Sequence, residues 1–150
     1  MIINTEWLKE KNAGNDLLTW FADRFPDGGE LQSVLDQACA DDRPGDASWI
    51  LKHAGRNNSV YMAETIKARH FIFAGSIKIS GPIDIDGYIE AGGGIEAGWG
   101  IEAGGSIKAG DDFCIFAGLH VQFSKWKIYA LVSAKTKPAN LVSGFWKDQP

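Results

Sequence analysis

The chain has 150 residues and a formal net charge of −4 at pH 7. That length holds one domain or a small pair with a real core, and the acidic balance speaks against a surface for direct nucleic-acid binding. No stretch approaches the roughly 18 apolar residues of a membrane span, and the opening MIINTEWLKEKN has no apolar run after a basic start, so neither a membrane helix nor a signal peptide is expected.

Residues 1–55 read as a helical module. Leu8, Leu17, Phe21, Leu31, Leu35 and Ile50 belong to an apolar set spaced mostly three and four apart. Gly14-Asn15 separates a first helix from a second, with Asn15 as a candidate N-cap. Pro26-Asp27-Gly28-Gly29 ends the second. Asp41 to Gly45 ends a third, and Asp46 is placed to cap a fourth that stops at Gly55. Trp7, Trp20 and Trp49 give this small unit the bulk it needs for a core. Cys39 and Cys114 lie far apart without metal-like spacing, which predicts reduced, buried thiols of a cytoplasmic protein. The polar run Arg56-Asn57-Asn58-Ser59 reads as a hinge.

From Val60 onward a six-residue phrase recurs: an aliphatic residue, a variable one, Ala or Ile, then a glycine-rich corner. It is clearest in IEAGGG (89–94), IEAGWG (95–100), IEAGGS (101–106) and IKAGDD (107–112). Looser copies begin at Val60, Ile66, Ile72, Ile77 and Ile83, and others follow at Ile115, Val121 and Ile128. A short fixed period is the mark of a β-solenoid, because one copy cannot bury its own apolar face. Positions one and three point inward and position two outward. Three such sides close a coil of about 18 residues. Stacking every third phrase gives three outward columns: Tyr61, Lys78, Glu96 and Phe116; Lys67, Asp84, Glu102 and Gln122; Phe73, Glu90, Lys108 and Tyr129. Opposite charges then meet at Lys78 and Glu96, Lys67 and Asp84, and Glu90 and Lys108, against one like-charge contact, Asp84 over Glu102. That balance favours three sides.

The predicted fold is therefore α+β: a helical cap over 1–55, a three-sided β-helix over 60–132, and a tail over 133–150 that caps or frays at the last coil. The opening WLKEKNAG, then WF, then FPDGG, resembles the start of small uncharacterised proteins carried by phages and prophages. The resemblance implies a phage-type context and transfers no functional residue. The I-x-I and I-x-A strands joined by glycine resemble the bactofilin-like, polymer-forming repeat, which implies a right-handed helix. In the hexapeptide acyltransferases, with their left-handed helix, the small inward residue precedes the aliphatic one. Here it follows, as in Ile95 then Ala97.

Chemistry is sparse. No phosphate-binding loop, dinucleotide fingerprint or zinc spacing occurs, and no cofactor or metal is expected. The histidines are His53, His70 and His120; His70 and His120 lie at corners of the solenoid, and neither has a Ser, Cys or carboxylate partner that the repeat would place beside it. An acyltransferase would need one of them as its base. Trp99 is the most informative side chain. It occupies a corner where the copies have Gly93 and Gly105, so nothing in the coil demands a ring there. Stacked coils would line it up with Pro82 and Leu119, bordered by Glu96 and His120. Residues 123–147 hold five lysines and no acid, and Lys125 and Lys127 mark a basic end suited to an acidic surface or a second copy. The expectation is a non-enzymatic protein-binding accessory protein, phage-borne and acting on a bacterial host or defence factor. The alternatives are a self-assembling bactofilin-like scaffold and a hexapeptide-repeat acyltransferase.

Overall fold

The structure, a computed structural model, describes residues 1–148. The helical module runs β1 (Ile2–Ile3), α1 (Thr5–Glu10), α2 (Asn15–Arg24), β2 (Gly29–Glu30), α3 (Leu31–Ala40) and α4 (Pro44–Ala54). Its helix starts differ from the sequence expectation. Gly14, not Asn15, is the N-cap of α2, and α4 begins at Pro44 with Arg43 as cap. Proline is suited to a first turn because its missing N–H has no helical partner there. Asp46 lies inside that turn and holds the Arg43 guanidinium at 2.6 Å. Two caps are made by side chains. Asn4 accepts from the Trp7 N–H at 2.8 Å, and Glu30 accepts from the N–H groups of Gln32 and Ser33. Ile3, Leu8, Phe21, Val34, Leu35 and Ile50 fill the core, with Trp7, Trp20 and Trp49 packed at its edge.

The repeat builds β3 (Val60–Ala63), β4 (Ile66–Ala68), β5 (Phe71–Phe73), β6 (Ser76–Ile79), β7 (Ile83–Ile85), β8 (Ile89–Ala91), β9 (Ile95–Ala97), β10 (Ile101–Ala103), β11 (Ile107–Lys108) and β12 (Ile115–Phe116). After an excursion come β13 (Leu131–Ser133), β14 (Leu141–Ser143) and β15 (Phe145–Trp146). They form three parallel sheets, ordered β3-β6-β9-β12-β14, β4-β7-β10-β13-β15 and β5-β8-β11. The result is a three-sided solenoid of about five turns. Ile83 pairs with Ile101 and Ile89 with Ile107, so aliphatic residues stack coil on coil. The tail of the chain continues two of the sheets as far as Trp146. Corners hug the coil beneath, and a Cβ on Gly98 would collide with the Ser80 carbonyl oxygen.

Three sequence expectations are corrected, two of them in the register. In the first coil Tyr61 pairs with Ile77 and Phe71 with Ile89, one residue out of the expected frame. Tyr61, Phe71 and Phe73 therefore turn inward, and their rings cluster at 4.9–6.0 Å as a plug in the first coil. Met62 and Ile72 take the outward places. Secondly, the phrases at Val121 and Ile128 are not strands. Leu119 and His120 still donate to the Ala97 and Gly98 carbonyls of the coil beneath, and residues 121–129 then leave it, with a 3-10 turn at Phe123–Lys125 and a short helix, α5 (Trp126–Tyr129). Ser133, not Gln122, follows Glu102 in its column. Thirdly, Cys114 is exposed, while Cys39 is partly buried. The charge contacts survive: Lys78 stands 3.7 Å from Glu96 and Lys108 3.9 Å from Glu90, and Lys67 is the register partner of Asp84.

The helical module docks on β5. Ile72, outward on β5, is buried in the helical core. Phe71 and Phe73 direct their backbone groups to the next coil, so the Ile72 C=O and Ala74 N–H face the open edge. Gln32 on α3 fills that edge. Its Nε2 donates to the Ile72 oxygen and its Oε1 accepts from the Ala74 N–H, both at 2.9 Å. A second clasp joins Asp42 to Arg69 at 2.9 Å and to His70 Nε2 at 2.6 Å. His70 Nδ1 accepts from the Tyr88 N–H, so the hydrogen on Nε2 is the one given to Asp42. The His70 hydrogen bond, reinforced by the Arg69 charge, holds the Asp42 carboxyl below its ordinary value.

Candidate interaction surface

Trp99 sits where the sequence places it. Its N–H donates to the Gly81 carbonyl at 3.2 Å and its carbonyl accepts from the Gly118 N–H at 2.8 Å. The corner thus stacks between those of the neighbouring coils. Trp99 is 45% exposed, and its ring lies 5.5 Å from the Tyr129 ring.

The corner is a ridge, and it divides the expected residues between two flanks. Pro82 and Trp99 border a cleft of about 230 Å³ together with Asp84, Glu102, Ile128 and Tyr129. Glu96, Leu119 and His120 border a different groove, of about 450 Å³, with Met62 and Lys78. The single apolar strip of Pro82, Trp99 and Leu119 is therefore two surfaces meeting at an edge. On the second flank the His120 ring is oriented by an Nδ1 contact of 3.1 Å to the Ser80 carbonyl. Lys125 and Lys127 are both exposed beside the first flank, on the segment that carries Tyr129, and the Lys125 ammonium lies 5.9 Å from the centre of that ring.

Phe123 and Ile128 belong to this surface and escaped the sequence reading, being 93% and 70% exposed. Both were placed within repeat phrases. One signal could have excluded them. Neither VQF nor IYA is followed by the glycine corner that turns the clearest copies.

A larger cleft, of about 470 Å³, lies between α4 and the third sheet. Ser48, Tyr88, Glu90, Ser106 and Lys108 line it above an apolar floor of Ile72 and Ile89. Glu90, expected to face solvent, lies largely beneath α4. Burial pushes its carboxyl above the ordinary value, against a Ser48 hydrogen bond and the Lys108 charge. Burial likewise pushes the Cys39 thiol up to about 11, which keeps it protonated and unreactive. Among the described residues no cluster of three or more His, Cys, Asp or Glu is arranged for a metal ion, and no helix is long and apolar enough to cross a membrane.

The helical module is also the part with a known counterpart. Residues 1–57 match the family model of the YdhT N-terminal domain. The match to the YdhT N-terminal domain spans α1–α4 and ends in the polar hinge before β3. It leaves the solenoid and the Trp99 corner outside. No curated protein and no solved structure matches the chain.

Proposed function

We propose that this chain is a non-catalytic, protein-binding accessory protein that meets its partners at the corner built around Trp99. One observation carries the reading. Trp99 (45%), Leu119 (51%), Phe123 (93%), Ile128 (70%) and Tyr129 (43%) stand exposed on that corner and the excursion beside it. Scattered exposed apolar residues are ordinary, but a gathered group marks a contact surface, and Trp and Tyr are frequent anchors. The solenoid supports the role mechanically. Its stacked Ile and Ala interior keeps the corner rigid, so little conformational entropy is lost when a partner docks. A phage-borne protein acting on a bacterial host or defence factor is part of the same proposal, supported by the phage-type opening.

The test is affinity capture from a bacterial host with the wild-type chain and with Trp99→Gly/Leu119→Ser as baits. A protein retained by the first and lost by the second is the expected result. Identical sets of captured proteins would overturn the reading.

A bactofilin-like scaffold is the second reading. The open edge of β3, with Val60 46% and Met62 74% exposed, favours it. Light scattering that keeps growing with concentration would support this reading over the first.

A further inference from the structure

We infer that the Trp99 flank of the corner is self-complementary and pairs this chain with a second copy across a two-fold axis. The inference rests on the corner being a contact surface and names the occupant of one flank. The Leu119 and His120 flank stays open to another partner. Three observations point to a second copy.

The first is apolar. Trp99, Ile128 and Tyr129 line the cleft, and Phe123, almost fully exposed, lies on the same excursion as Ile128 and Tyr129. Such a patch is stable in water only at a cost in hydration, which a matching patch removes.

The second is a carboxylate pair. Asp84 and Glu102 are register partners on β7 and β10, so two acids stand side by side in the cleft. Asp84 has Lys67 as its other register neighbour, but Glu102 has Ser133. Like charges opposite one another on a sheet are unfavourable, and a cation supplied from outside relieves them.

The third is the position of the bases. Lys125 and Lys127 stand exposed on the segment that projects beside the same cleft. A two-fold axis through the apolar patch sets the lysines of each copy against the acids of the other, twice over. An isologous contact requires this reciprocity. A partner of uniform charge would be attracted by one half of the flank and repelled by the other.

The experiment is sedimentation velocity on the full chain over a range of concentrations. The wild type should show a monomer–dimer equilibrium that weakens with added salt. Lys125→Glu/Lys127→Glu sets acid against acid and should be monomeric. Asp84→Lys/Glu102→Lys sets base against base and should also be monomeric. An equimolar mixture of the two variants restores both complementary contacts and should dimerise again. All four positions are exposed, so the variants should fold, and circular dichroism checks that they do. A wild type that stays monomeric overturns the inference. So does a dimer indifferent to both double substitutions, or a mixture of folded variants that stays monomeric. Should the inference fail while the Trp99→Gly/Leu119→Ser bait still loses its captured protein, the contact surface stands and only its occupant is wrong. If that bait loses nothing as well, the surface itself fails.

Discussion

The side chain of Gln32 on α3 takes the place of a missing strand beside Ile72. Its amide donates to the Ile72 carbonyl and accepts from the Ala74 N–H, both at 2.9 Å. A solenoid end exposes backbone groups that would pair with any passing strand. Here one of three sides is closed by a helix side chain, and the outward Ile72 beneath it joins the helical core.

Gln32→Leu should leave those two backbone groups unpaired beneath α3. An unsatisfied buried polar group costs about 1–3 kcal/mol, and denaturant unfolding should show a loss in that range. A loss below about 0.5 kcal/mol, the usual size for a surface change, would show that water replaces the amide. Deleting residues 1–55 removes the same cover and strips Ile72 bare. The 56–150 fragment should then aggregate, and a monodisperse fragment by light scattering would refute the capping role.

The interior tolerates no charge. Ile101 is fully buried between Ile83 and Val132, so Ile101→Asp should cost several kcal/mol, enough to unfold a typical domain. Glu102→Ser, one position along and exposed, should change stability by less than about 0.5 kcal/mol. Equal melting temperatures for the two variants would contradict the register.

Two carboxylates should give opposite pH dependences. The Asp42 carboxyl is held below its ordinary value by His70, so the folded state binds fewer protons there than the unfolded one. Its contribution is present above the unfolded pKa, near 4, and fades as pH falls through the lower folded value. Glu90 is raised by burial, so the folded state binds more protons. Its contribution is full below the unfolded pKa and lost as pH rises through the folded value. At pH 7 Glu90→Gln should therefore melt higher than the wild type, with the gain gone below about pH 4. Asp42→Asn should melt lower at pH 7, with the deficit shrinking in acid. Thermal melts at several pH values check both. A pH-independent offset for either variant would mean that packing, not ionisation, sets the difference.

Trp99→Gly should leave the coil intact, because Gly93 and Gly105 already turn equivalent corners. Loss of an aromatic anchor should cost about 2 kcal/mol or more of binding, roughly thirtyfold. Stability should move by no more than about 1 kcal/mol, since the ring is half open and touches Tyr129 on one side. A large loss of stability with binding unchanged would make Trp99 a packing residue under the excursion.

The sequence by itself determined the three-sided coil. In the central phrases Ile and Ala alternate with charged residues and glycine marks every corner, so inward and outward positions have one consistent solution, from Ile77 to Lys108. The stacking of Trp99 between Gly81 and Gly118 followed from that period alone. Tertiary structure decided the rest, and in each place a local pattern had two readings. Around Ile72 both sides of the strand are apolar, as Phe71-Ile72-Phe73 shows, so the frame is set only when the helical module offers Ile72 an apolar cover. Around Val121 and Ile128 an aliphatic spacing persists without corner glycines, and the chain leaves the coil instead of turning. Glu90 has the same local surroundings as Glu96, yet lies under α4, because docking brings together residues far apart in the chain. The Trp99 corner split in two for a related reason. Period places residues along a coil, but the two faces of a ridge are separated by the angle at which three sheets meet, and that angle belongs to the assembled solenoid.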